Sequence, residues 1–227
     1  MEFPPTFVIN LDERKDRWET IQKTFNDWPV SLERVSAIKA SPGWKGCYGS
    51  HKRCVEIAKE RNYPWVLILE DDCKLTETGA ARFQSLLPHL WEIRNTWDIF
   101  NGGLGTINKI KKINDDPPLF QVEGFNTHFC LLNSKFYDTV LNFPEKPIDH
   151  LYGSENVQLS TRPHIAIQEP GKSDILDGEV DYMGGFSATE EMLEKEGFRI
   201  QANLDAFSVK VAIVCLGGAV LLHLLSK

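Results

Sequence analysis

Trp65-Val66-Leu67-Ile68-Leu69-Glu70-Asp71-Asp72 is an apolar run of strand length that ends in three consecutive carboxylates. Preceded by Pro64 and rich in large and β-branched side chains, it suits a strand buried on both faces of a central sheet. Its acids then emerge at the carboxyl edge, where open α/β sheets bind their ligands. The side-chain period of a strand places Glu70 and Asp72 on one side and Asp71 on the other. Two same-side acids can hold one hard cation, Mg²⁺ or Mn²⁺, whose remaining ligands come from phosphate and water. The alternative for the same residues is a solvated acidic turn.

Upstream, Gly46-Cys47-Tyr48-Gly49-Ser50-His51-Lys52-Arg53-Cys54-Val55-Glu56-Ile57-Ala58 reads as a glycine-bearing loop turning into a helix. Ser50 and His51 are expected in its first turn, where unpaired N–H groups and the dipole favour an anion. Working outward, Phe7 to Leu11 is a first strand, Asp12 a cap for a helix from about Glu13 to Phe25, and Leu32 to Ile38 a second strand. Thr76 to Trp91 is helical by the spacing of Phe83, Leu86, Leu87 and Leu90, with Pro88 expected to kink or end it. Asp98 to Phe100 is a short strand, 109–125 a hairpin around Asp115-Asp116-Pro117-Pro118, Thr127 to Leu132 a strand, Lys135 to Asn142 a helix and His164 to Gln168 a final strand. The alternation over the first hundred residues predicts a parallel sheet with helices on both faces.

With 32 acids against 25 bases over 227 residues, the chain is unsuited to a sequence-independent grip on nucleic acid. Its five cysteines are odd in number and dispersed, with neither a C-x-x-C pair nor a zinc-like grouping, so they read as reduced thiols. Length predicts one domain, 1–175, followed by a linker, 176–205, of high charge and glycine content with a short acidic helix near Thr189 to Lys195. Phe207 to Leu225 is apolar except for Lys210 and His223, and as a helix it would span roughly 28 Å, near the hydrocarbon thickness of a bilayer. It is therefore read as a C-terminal hydrophobic helix over 206–227, a transmembrane tail anchor. No charged, apolar leader precedes Phe7, so the folded domain is expected to face the cytosol.

Several motifs, taken in order, resemble glycosyltransferase family 25. They are Phe7-Val8-Ile9-Asn10-Leu11-Asp12-Glu13-Arg14-Lys15-Asp16-Arg17-Trp18, Gly46-Cys47 with Ser50-His51, the Val66 to Asp72 strand, Trp97-Asp98-Ile99 with Gly102-Gly103, Thr127 to Leu132, Pro147-Ile148-Asp149-His150, and Gln168 to Ile175. The family includes bacterial lipooligosaccharide and collagen-modifying galactosyltransferases. Where it often carries an acid ahead of Gly-Cys, this chain has Trp44-Lys45.

The resemblance implies an α/β, GT-A-like fold, a Rossmann-like sheet binding a nucleotide-sugar, with Mn²⁺ or Mg²⁺ as cofactor. It implies inverting transfer of a hexose, galactose or glucose, from a UDP-hexose donor to a hydroxyl of a glycan or protein acceptor. Carried over, Asp72 and Glu70 are the metal residues, and Asn10, Arg14, Arg17, Ser50, His51, Glu70, Gln168 and Ser173 lie on the donor side, with Asp174 in the same closing motif. Asp149 is the first candidate for the general base and His128 the second. Two rival readings are a non-catalytic sugar-binding or adhesion member of the fold and a metal-dependent nucleotide phosphohydrolase. The latter would normally show further His/Asp ligands at short spacing.

Overall fold

The computed structural model describes residues 2–154, 156–173, 178–180 and 183–197. Its centre is an eight-stranded sheet built from β1 (Thr6–Asn10), β2 (Leu32–Ser36), β3 (Trp65–Glu70), β5 (Ile99–Asn101), β6 (Thr106–Asp115), β7 (Pro118–Phe125), β8 (Phe129–Asn133) and β9 (Gln158–Thr161). The strand order is β2-β1-β3-β8-β5-β9-β7-β6. β1 runs parallel to both β2 and β3, but β8 is antiparallel to β3 and β5, and β7 is antiparallel to β9 and β6. The sheet is thus mixed. The expectation of a parallel sheet holds for the direction of the strands of the first hundred residues, and β5 also pairs parallel with β9; the departures are β8, which enters antiparallel between β3 and β5, and β7, which the two-residue turn at Asp116-Pro117 folds back on β6.

Helices α1 (Lys15–Thr24) and α3 (Gly79–Glu92) supply one core, where Ile21, Phe83, Leu86, Leu87 and Leu90 meet Val8, Leu67 and Leu69. Helices α2 (Gly43–Glu60), α4 (Tyr137–Asn142) and α5 (Ile148–Ser154) supply the other, against Phe7, Ile9, Val66 and Ile68. Alternate residues of β1 and β3 therefore enter opposite cores, which explains their unbroken apolar character. Short strands β4 (Cys73–Leu75) and β10 (Ala166–Gln168) pair antiparallel, and β11 (Gly171–Ser173) pairs with β12 (Gly178–Val180).

Several local expectations are corrected. Asp12 does not cap α1; its carboxylate accepts from Arg34 Nη2 at 2.7 Å and Ser36 Oγ at 2.9 Å, so it joins β1 to β2. Pro88 lies inside α3 without ending it, one missing N–H being outweighed by the buried Phe83, Leu86, Leu87 and Leu90 face. α2 begins at Gly43 rather than near Ser50, so its glycines are helical. A Cβ at Gly46 would lie 2.2 Å from the Ile38 carbonyl oxygen, so glycine there permits close approach of helix and loop.

Residues 183–197, expected within a linker, form a further helix, α6, that packs on the body. Leu193 joins Leu104, Ile107, Phe120 and Val122 in a third apolar cluster, and the Phe186 ring lies edge-on to His128 at 5.4 Å. The helix is longer than its acidic centre suggested because its buried face is sparse, spaced by Phe186, Thr189 and Leu193. The segment 206–227, on which a membrane anchor was expected, lies outside the described residues. Among the described residues no helix is long and apolar enough to cross a membrane, against the expected single-pass anchored location.

Candidate functional site

The turn that ends β3 opens onto a cleft of ≈ 590 Å³, bordered also by α2, the Ala37–Ala40 loop, Asn126-Thr127, α5 and β10. Glu70, Asp71 and Asp72 lie on its wall with Arg17, Ser50, His51, Asp149 and Gln168. Asp71 does not point to the opposite side. The strand stops at Glu70, and the turn brings both aspartates to one guanidinium, with Arg17 Nη1 donating to Asp71 Oδ1 at 2.9 Å and to Asp72 Oδ2 at 3.3 Å. Asn10, only 1 % exposed, supports them from below: its Nδ2 donates to Asp71 Oδ2 at 2.7 Å, and its Oδ1 accepts from Arg34 Nε at 2.7 Å.

Asp72 Oδ2 also accepts from Gln168 Nε2 at 3.1 Å, and Gln168 Oε1 in turn accepts from Asn126 Nδ2 at 2.8 Å. Asn126 stands at φ 143°, a conformation that side chains rarely adopt and that its hydrogen bonds hold in place. The other oxygen, Asp72 Oδ1, is buried without a hydrogen-bond partner among the described residues. Burial first, and then the charge of Glu70, pushes the Asp72 carboxyl up to about 7. A buried carboxylate oxygen without a donor fits a cation, and Asp72 with Glu70 is an oxygen donor set suited to Mn²⁺ or Mg²⁺.

Glu70 is partly buried, which acts to raise its pKa, yet hydrogen bonding and charge from His51 and a hydrogen bond from Thr127 hold it below the usual carboxylate value. Its Oε1 accepts from Thr127 Oγ1 and lies 3.4 Å from His51 Nε2 and 4.0 Å from Cys47 Sγ. Asp149, in the first turn of α5 rather than in an irregular turn, is pushed up to about 6 by burial and by the charge of Glu70. That value suits a group exchanging protons near neutrality.

Other expected positions fall elsewhere. His128 is fully buried behind the wall and does not line the cleft, and burial lowers its pKa to about 4. Arg14 does not line the cleft; its guanidinium meets Asp16 at 3.0 Å while its carbonyl accepts from Asn10. Ser50 and His51 lie in the middle of α2, not at its N-terminus, so no helix-end anion site forms around them. Ser50 Oγ instead donates to the Gly46 carbonyl at 2.7 Å and accepts from the Ile38 N–H at 2.8 Å, pinning the loop to the helix. Ser173 lies in β11, its side chain outside what is described, and Asp174 is outside the described residues. Cys47 and Thr127 carry no functional signal in the sequence beyond membership of quoted motifs, and Asn126 carries none; only the one-turn spacing of Cys47 and His51 hints at a shared face.

The fold defines an α/β protein with its cleft at the carboxyl end of a central strand, and its likeness to a solved structure is of the same kind. The chain superposes on the crystal structure of A197 from STIV with a TM-score of 0.51 at 13 % identity, covering 77 % of this chain and 94 % of that one, a likeness of fold alone. Residues 40–139 match the family model described as glycosyltransferase family 25 (LPS biosynthesis protein). The family that the motifs resemble is therefore the one whose model matches this segment. Among curated proteins, procollagen galactosyltransferases 1-B and 1-A of Xenopus laevis are 28 % and 27 % identical over 127 residues, in each case 44 % of this chain and 21 % of the relative. The chain thus spans about a fifth of the length of those relatives.

Proposed function

We propose that the chain is a metal-assisted, inverting glycosyltransferase of GT-A-like architecture, moving a hexose from a nucleotide-sugar, a UDP-hexose, to a hydroxyl of a glycan or protein acceptor. The carrying observation is the cleft that gathers Asp72, with its orphaned oxygen, and Asp149, poised at about 6, against residues within the family match. Asp72 and Glu70 would hold Mn²⁺ or Mg²⁺, which when bound offsets the charge developing on a departing nucleoside diphosphate. Arg17 fixes Asp71 and Asp72 in place, and Gln168 orients Asp72 from β10, the strand paired with β4 just after it. Asp149 accepts the proton of the acceptor hydroxyl as that oxygen attacks the anomeric carbon, and the bond to the diphosphate oxygen breaks from the opposite face.

The test is a panel of nucleotide-sugars incubated with the full chain and Mn²⁺, with and without hydroxyl acceptors, scored by release of nucleoside diphosphate and by sugar incorporation. Acceptor-dependent incorporation supports transfer. Equal release without any acceptor points to a hydrolase, and binding without release to a sugar-binding protein.

A further inference from the structure

Cys47 and His51 are four residues apart on α2 and so share one helical face. That face meets the end of β3, where Cys47 Sγ, His51 Nε2 and a Glu70 carboxylate oxygen all lie within 4.8 Å of one another. We propose that these three residues form a site for a thiophilic divalent cation of the Zn²⁺ class, separate in character from the oxygen site at Asp72.

The geometry is close to what such an ion needs. With Zn–S near ~2.3 Å and Zn–N and Zn–O near ~2.0 Å, tetrahedral ligands stand about 3.3–3.7 Å apart. His51 Nε2 is 3.4 Å and Cys47 Sγ 4.0 Å from Glu70 Oε1, so small side-chain rotations close the set. The outer ring nitrogen, His51 Nδ1, lies 3.4 Å from the Tyr152 hydroxyl, and that contact can hold the tautomer whose Nε2 lone pair faces the ion. All three ligands line the cleft, leaving the fourth position to water or to a ligand atom entering it. Sulfur and imidazole select Zn²⁺, Cd²⁺ or Co²⁺ over Mg²⁺, which favours oxygen. On binding, the Cys47 S–H bond breaks, its electron pair forms the metal–sulfur bond, and one proton leaves to solvent. The site stands whether or not the cleft transfers sugar, although Glu70 is common to both.

Co²⁺ titration of the chelator-stripped full chain tests this by absorption alone. One equivalent of Co²⁺ is expected to give a near-ultraviolet thiolate-to-metal band with intense visible bands of four-coordination. Both should be bleached by Zn²⁺, left unchanged by Mg²⁺, retained in Asp72→Asn, and lost in Cys47→Ser and His51→Gln variants whose circular dichroism matches wild type. Absence of the near-ultraviolet band in the wild type, or its survival in folded Cys47→Ser, overturns the assignment.

Discussion

At Asp72 the chain keeps a carboxylate whose two oxygens live in different surroundings, one held by Arg17 and Gln168 and one without a donor among the described residues. Asp72→Ala is expected to abolish Mn²⁺-dependent binding of UDP while the thermal transition remains, because the residue lies on the cleft wall outside the apolar cores. Calorimetric titration with and without the metal reads this, and equal metal-dependent affinity in mutant and wild type would sink the assignment. Asp149→Asn is expected to keep donor binding and slow transfer by roughly two to four orders of magnitude. With metal saturating, the wild-type kcat/KM should fall as pH drops below about 6, where Asp149 takes up a proton, and the variant should lack that limb. Glu70 and Asp72 were legible as a strand-end acidic pair from the sequence. Thr127 and Asn126 were not, because what makes them part of the site is the pairing of β8 with β3 and of β10 with β4, and nothing local encodes that.

The elements repeat this division. Strands β1 and β3 declare themselves because burial on both faces demands unbroken apolar residues. β9, Gln158-Leu159-Ser160-Thr161, is buried throughout yet mostly polar, its Ser160 Oγ donating to the Asn101 carbonyl and its Gln158 Oε1 accepting from the Gly124 N–H, so composition hides it. α2 was misplaced at its start because Gly43, Gly46 and Gly49 suggest a loop, whereas all three are helical and Gly46 and Gly49 serve close packing on Ile38. α6 is the element whose docking should respond to acid. Its Thr189 Oγ1 lies 3.0 Å from His164 Nε2, and burial lowers the His164 pKa to about 3. In the unfolded chain that histidine takes up a proton below about 6.5. Between those values only the unfolded state is protonated there, so His164 subtracts about 1.4 kcal/mol of stability per unit as pH falls from about 6 to 4. Asp72 and Asp149, whose pKa values are raised, contribute with opposite sign over part of that range, so the comparison must be with a variant. Denaturant melts of His164→Asn against wild type are expected to converge as pH drops; parallel pH profiles would contradict the linkage.

For the whole molecule, the strand order carries a consequence about modularity. The family match covers residues 40–139, but the sheet interleaves what lies outside that span: β1 sits between β2 and β3, and β9 sits between β5 and β7. The cleft is assembled likewise, with Arg17, Asp149 and Gln168 all beyond the matched segment. A fragment of residues 40–139 would therefore leave β3 with an open edge and cut the β6–β7 hairpin loose from the remaining strands. It is expected to lack a cooperative thermal transition and to self-associate, while the full chain unfolds in one step; a monomeric fragment with a sharp transition would contradict this. The stretch by which the protein is recognised is thus smaller than the unit that can fold, so grafting or swapping that stretch alone would transplant a signature without its scaffold.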